Sequence, residues 1–151
     1  MSDLIIVAGG GRDLAWSVPL IARELSARAN GRLVHLLLHG GARGADQSIA
    51  AAADQIGWPC RAFPAEWERH GRAAGPIRNR HMLDQALSMA RNYSQDSDMP
   101  VSVLVVAFPG GAGTASLVQL AKRLKAGTDW PLSVAEIKNS TDRLMRFLSL
   151  P

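Results

Sequence analysis

Five short runs of branched and aliphatic residues punctuate the chain, at Leu4–Ala8, Leu33–Leu38, Trp58–Phe63, Val101–Phe108 and Leu132–Ile137. Between them lie segments whose apolar residues recur with helical spacing: Val18, Ile21 and Leu25; Ile49, Ala52, Ala53 and Ile56; Leu83, Ala86, Leu87 and Ala90; Leu117, Leu120, Ala121 and Leu124. A strand that is apolar on both faces needs cover on both sides. The alternation therefore predicts an α/β fold, a Rossmann-like three-layer sandwich around a mostly parallel sheet of about five strands. The tail adds Leu144, Phe147 and Leu148 as one more helical face, and residues 1–151 read as a single domain with no linker or repeat. The polar stretch Arg91–Pro100 reads as a surface loop before the fourth strand, and Gly127–Pro131 as a turn before the fifth.

In a parallel sheet every strand ends on the same edge, and ligands bind in the crevice outside that edge. Glycine concentrates there. "GGGRDL" follows the first strand (Gly9, Gly10, Gly11, Arg12, Asp13), "HGGARGAD" the second (Gly40, Gly41, Arg43, Gly44, Asp46), and "PGGAGT" the fourth (Pro109, Gly110, Gly111, Gly113, Thr114). Each turn joins an apolar run to a helical segment, so each is expected to offer unpaired helix N–H groups to an anion. Arg12 and Arg43 add positive potential, while Asp13 and Asp46 either cap the following helices or meet a ligand hydroxyl. There is no Lys-Ser/Thr pair of a nucleoside-triphosphate loop and no G-x-G-x-x-G spacing, so neither triphosphate hydrolysis nor ordinary NAD chemistry is supported.

The third strand is followed by "PAEWERHGRAAGPIRNRHM". Glu66, Glu68 and His70 can exchange protons or accept hydrogen bonds from a sugar, and Trp67 can stack on a base. Gly75-Pro76 marks a helix start with Pro in first position, which puts Arg78 and Asn79 in the first turn. Arg78 can bind a phosphate bidentately, or form a surface ion pair with Glu66 or Glu68. Trp16 and Trp58 fall at core positions. His35, His39, His70 and His81 lack metal-ligand spacing, so no metal is expected.

Composition sets outer limits. The chain is 47% hydrophobic and 20% charged, with a net charge of +4 spread along its length, and no apolar run reaches the length of a membrane helix. With no basic-then-apolar leader, a cytoplasmic protein that does not enter membranes is expected. The single Cys60 cannot close an internal disulfide and reads as a buried thiol.

Taken together, "GGGRDL", "HGGARGAD", "PAEWERHGRAAGPIRNRHML" and "FPGGAGTASLVQLAKR" resemble the SLOG superfamily from about Leu4 to Leu124, most closely its YspA-like, YpsA-related branch. The resemblance implies a Rossmann-like domain that senses or processes a nucleotide or nucleotide-derived ligand, with no further cofactor. The phosphoribohydrolases of the superfamily share a "PGGxGTxxE" motif, in which the glycines hold phosphate and the glutamate works at the ribose. Here Leu117 stands at the glutamate position, and Asn79 stands where a lysine usually follows the arginine that Arg78 resembles. The alternative is an N-glycosidic hydrolase acting on a nucleoside monophosphate or ADP-ribose-like compound, with Glu66 and Arg78 as its catalytic candidates. A third reading comes from "GGARGAD", which is similar to a run in a DNA-processing relative and implies single-stranded DNA binding. Relatives of this kind also imply a homodimer or higher homo-oligomer.

Overall fold

The computed structural model describes residues 2–138. Five strands, β1 (Asp3–Gly9), β2 (Val34–His39), β3 (Cys60–Ala62), β4 (Val101–Ala107) and β5 (Leu132–Glu136), form one sheet in the order β3-β2-β1-β4-β5, every pair parallel. The helices are α1 (Val18–Ala29), α2 (Ala45–Ile56), the single turn α3 (Trp67–His70), α4 (Ala74–Asp96) and α5 (Ala112–Gly127), with a 3-10 turn at Gly71–Ala73. This is the expected Rossmann-like sandwich. Leu144, Phe147 and Leu148 lie outside the described residues.

Side-chain alternation explains the layers. Leu4, Ile6 and Ala8 of β1 point to one face with Leu104 and Val106, and meet Ile21 and Leu25 of α1 and Ile49, Ala52 and Ala53 of α2. Ile5 and Val7 point to the other with Val103 and Val105, and meet Leu83, Ala86 and Leu87 of α4 and Leu117 and Ala121 of α5. Each fully buried branched side chain contributes about 1.5–3 kcal/mol, so a central strand with both faces covered anchors the register. Trp16 is buried and packs edge-on against Phe108, their centroids 5.7 Å apart, while Trp58 is partly buried against the α1/α2 layer.

Three expectations change. Arg91–Asp96 is helix, so the loop before β4 is short. Those polar residues hold the helix from outside the core: Tyr93 stacks on His35 of β2 with centroids 4.6 Å apart, and Ser94 Oγ accepts the Val101 N–H at 2.8 Å. Pro76 is the third residue of α4 rather than the first, a place proline tolerates because first-turn N–H groups need no helical partner. Cys60 is exposed, because β3 is a three-residue edge strand with no buried position. Among the described residues no helix is long and apolar enough to cross a membrane.

Candidate functional site

The strand order reverses direction between β1 and β4, and the crevice at their C-terminal ends opens into a cleft of about 580 Å³. All three glycine turns reach this region, but they are built differently.

After β1 the chain runs through a loop from Gly10 to Ser17, and α1 begins only at Val18, its first turn capped by Ser17 Oγ on the Leu20 N–H at 3.3 Å. The glycines Gly9, Gly10 and Gly11 line the cleft without being a helix start. They are there because three loops press together. Gly11 N–H donates to the Pro109 carbonyl (3.0 Å), while the Gly11 carbonyl accepts from Leu14 (3.2 Å) and Ala45 (3.1 Å). A Cβ on Gly10 would stand 2.8 Å from that of Ala45 and 3.0 Å from that of Phe108. Arg12 and Asp13 are exposed on the cleft wall, and Asp13 does not cap α1, since Ser17 does.

The turn after β2 is spent on internal bonds. Gly44 has φ +78°, and any Cβ there would collide with the Arg12 backbone. Ala45 N–H, the first donor of α2, goes to Gly11, and the Asp46 carboxylate accepts from Ala42 N–H (3.1 Å), fixing the turn in front of it rather than capping the helix. Gly41, Arg43 and Gly44 do not line the cleft; Gly40, Ala42 and Asp46 do.

Behind Gly40 lies a buried cluster of titratable groups. His39, 6% exposed, accepts the Gly41 N–H on Nδ1 at 3.1 Å, so that nitrogen carries no proton. Burial holds the His39 imidazole below its ordinary range, with the nearby Asp46 opposing and Arg78 reinforcing. Burial also pushes the Asp46 carboxyl up, against the pull of the Ala42 N–H, Arg78 and His39. The Arg78 guanidinium is pushed down by burial and supported by Asp46, and remains a cation. Sequence reasoning noted His39 only as a poor metal ligand; its place at the buried end of β2 was the missed signal.

Arg78 does not pair with Glu66 or Glu68. Its Nη1 donates to the Gly40 carbonyl (2.7 Å) and the Phe63 carbonyl (3.3 Å), and its Nε to Asn79 Oδ1 (2.9 Å). Buried Asn79 donates from Nδ2 to the Gly113 carbonyl at 3.3 Å. Arg78 and Asn79 both line the cleft, and Arg78 Nη2 has no hydrogen-bond partner among the described residues.

The turn after β4 is the open one. Gly111 precedes α5, no side chain caps the helix, and its first turn holds no acid. Ala115 N–H bonds back to Gly111 (3.0 Å), leaving the N–H groups of Ala112, Gly113 and Thr114 at the cleft without helical partners. Gly110 is a packing glycine, close to Gly11 and Thr114, but a Cβ on Gly111 or Gly113 would meet nothing within 4 Å. Pro109, Gly110, Gly111, Gly113 and Thr114 all line the cleft, and buried Leu117 supplies apolar wall below them.

Trp67 borders the cleft from α3, 46% exposed, with the Arg12 guanidinium 5.3 Å from its ring centroid. Gly75 lets the ring lie against the start of α4, since a Cβ there would be 3.3 Å from the indole. Glu66 is exposed, pairs with Arg69 at 3.4 Å and is not part of the cleft wall; neither is His70. Leu14, Gly75 and Met82 also line the wall; they lie within the sequence motifs, but nothing in those motifs points to a ligand contact from them. Among the described residues no group of His, Cys, Asp or Glu could hold a metal ion.

Residues 4–70, from β1 to the end of α3, match the family model YAcAr, described as the YspA, cpYpsA-related SLOG family. Over these residues the chain is similar to the YspA-like branch of the SLOG superfamily. The match takes in the first two glycine turns and Trp67 and stops before Arg78 and the β4–α5 turn. This likeness points to a nucleotide-related function in general. No curated protein is similar enough to match the chain.

Proposed function

We propose that the cleft binds a nucleotide or nucleotide-derived ligand and serves to sense it, with a phosphate group on the N-terminus of α5. The observation that carries this reading is the difference among the three turns: α5 has three unspent first-turn N–H groups at the cleft with free space for a Cβ at Gly111 and Gly113, whereas the first donor of α2 is spent on Gly11 and α1 starts only after a further loop. Arg12 and the uncommitted Nη2 of Arg78 supply countercharge, which the glycine turns alone lack. Trp67 gives a base an aromatic surface already polarised toward Arg12, and Asp13 and Asp46 are the carboxylates on the wall available to ligand hydroxyls.

Hydrolysis at an N-glycosidic bond draws no comparable support. Leu117 is apolar and buried, and Glu66 is engaged with Arg69 outside the cleft wall. Gly111→Asp is the direct test, because its Cβ has room and its carboxylate would occupy the anion position. Titration calorimetry with AMP and ADP-ribose, together with mass spectrometry of co-purified ligand, should show binding to the unaltered protein and a loss of at least about tenfold in the variant. Equal affinity in both proteins, or retention of no phosphorylated nucleotide by either, overturns the reading.

A further inference from the structure

We infer that Asn79 is a positioning residue for the anion cradle, acting through the peptide between Gly113 and Thr114; this rests on the phosphate reading above. The side-chain amide of Asn79 has only one workable orientation. Its Oδ1 meets Arg78 Nε, which is always a donor, and its Nδ2 meets the Gly113 carbonyl, which is always an acceptor. Rotating the amide by half a turn would set donor against donor and oxygen against oxygen.

The Gly113 carbonyl and the Thr114 N–H belong to one planar peptide. Holding the oxygen from behind therefore fixes the plane of an N–H that opens onto the cleft, and polarises it as a donor. A carbonyl has two lone pairs, so Gly113 can take this bond in addition to its helical one. The anchor on the other side is firm: Arg78 is tied to the carbonyls of Gly40 and Phe63, so the chain of bonds runs from the β2 and β3 loops through Arg78 and Asn79 into the first turn of α5. On its other side the β4–α5 turn is tied to the first loop, where Phe108 N–H donates to the Gly9 carbonyl and Gly11 N–H to the Pro109 carbonyl, so the Asn79 bond is what holds the peptide at Gly113 from the α4 side. Asn79, 4% exposed and bonded on both sides, is thus committed to shaping the cradle rather than to the ligand itself.

The test uses inorganic pyrophosphate as probe and amide resonances as readout. In the unaltered protein, titration should shift the backbone amides of Ala112, Gly113 and Thr114 and the Asn79 side-chain NH₂ with one common Kd. Asn79→Asp keeps the acceptor for Arg78 and removes the donor to Gly113; Asn79→Ala removes both. Each is expected to weaken pyrophosphate about tenfold and to shrink the Thr114 shift. Should neither variant fold, the coupled movement of Thr114 and Asn79 in the unaltered protein decides. Silence at residues 112–114 in the unaltered protein overturns the phosphate reading. Shifts at 112–114 with a still Asn79 side chain, or with undiminished pyrophosphate binding in Asn79→Ala, overturn the role of Asn79 alone.

Discussion

The β2–α2 and β4–α5 turns look alike as strings of glycine, yet they are opposites in space. In the first, Gly44 sits against the Arg12 backbone at φ +78°, Gly40 is wedged between Arg78 and Asp46, and the helix donor of Ala45 is consumed by Gly11. In the second, a Cβ on Gly111 or Gly113 would meet nothing within 4 Å and the first-turn helix donors are unspent. One turn uses glycine to let protein approach protein, the other to keep space clear. A glycine-rich motif therefore says that something comes close to the backbone, and only the packing says whether that is the chain itself.

The sharpest way to break this contrast is to add the same methyl group to each turn. Gly44→Ala should cost about 3 kcal/mol or more, from the forbidden φ and the collision with a neighbouring backbone. Gly113→Ala should leave stability unchanged or raise it by up to about 1 kcal/mol, since it places a better helix former in open space. Urea denaturation of both variants decides, and equal losses would mean that the two turns are built the same way.

Acid separates the turns next. The β4–α5 turn contains no titratable side chain, whereas the other has His39 and Asp46. With its folded pKa below the ordinary value of about 6.5, His39 contributes stability that is fully present above pH 6.5 and is lost as pH falls through the folded pKa. Asp46 has the opposite sign: its raised pKa gives a contribution complete below about pH 3.8 and lost as pH rises through the folded value. The His39 contribution therefore falls as pH drops below 6.5, with a slope of no more than about 1.4 kcal/mol per pH unit. His39→Asn can keep an acceptor for Gly41 without titrating, so it should flatten the fall in unfolding free energy below pH 6.5. An unchanged slope would remove His39 from the account.

The smallest effect belongs to the cleft rim. Arg12→Ala should cost about 0.5–1 kcal/mol through loss of the contact with Trp67 and should alter indole fluorescence. An identical emission spectrum would show that the pair does not persist in solution.

How far this was legible in the sequence follows from the range of the forces involved. The five strands and the helical faces rest on local alternation, and Ile5, Ile6, Leu83 and Ala86 all lie where the pattern puts them. The continuation of α4 to Asp96 depends on Tyr93 finding His35, some sixty positions away, which no local window contains. Likewise Cys60 is exposed because β3 lies at the edge of the sheet, a property of strand order rather than of the residues around it. The cleft was foreseeable as a meeting of loops. The division of labour among its glycines was not, because it turns on which loops touch.

The length of α4 has a mechanical consequence. Spanning 23 residues, or about 35 Å, it carries Arg78 and Asn79 near one end and Tyr93 near the other, where the ring lies flat on His35. The middle of the helix is fixed by burial of Leu83, Ala86 and Leu87 against the sheet. α4 thus joins the guanidinium at the mouth of the cleft to an aromatic pair at the opposite, N-terminal end of β2, one element spanning both ends of the sheet.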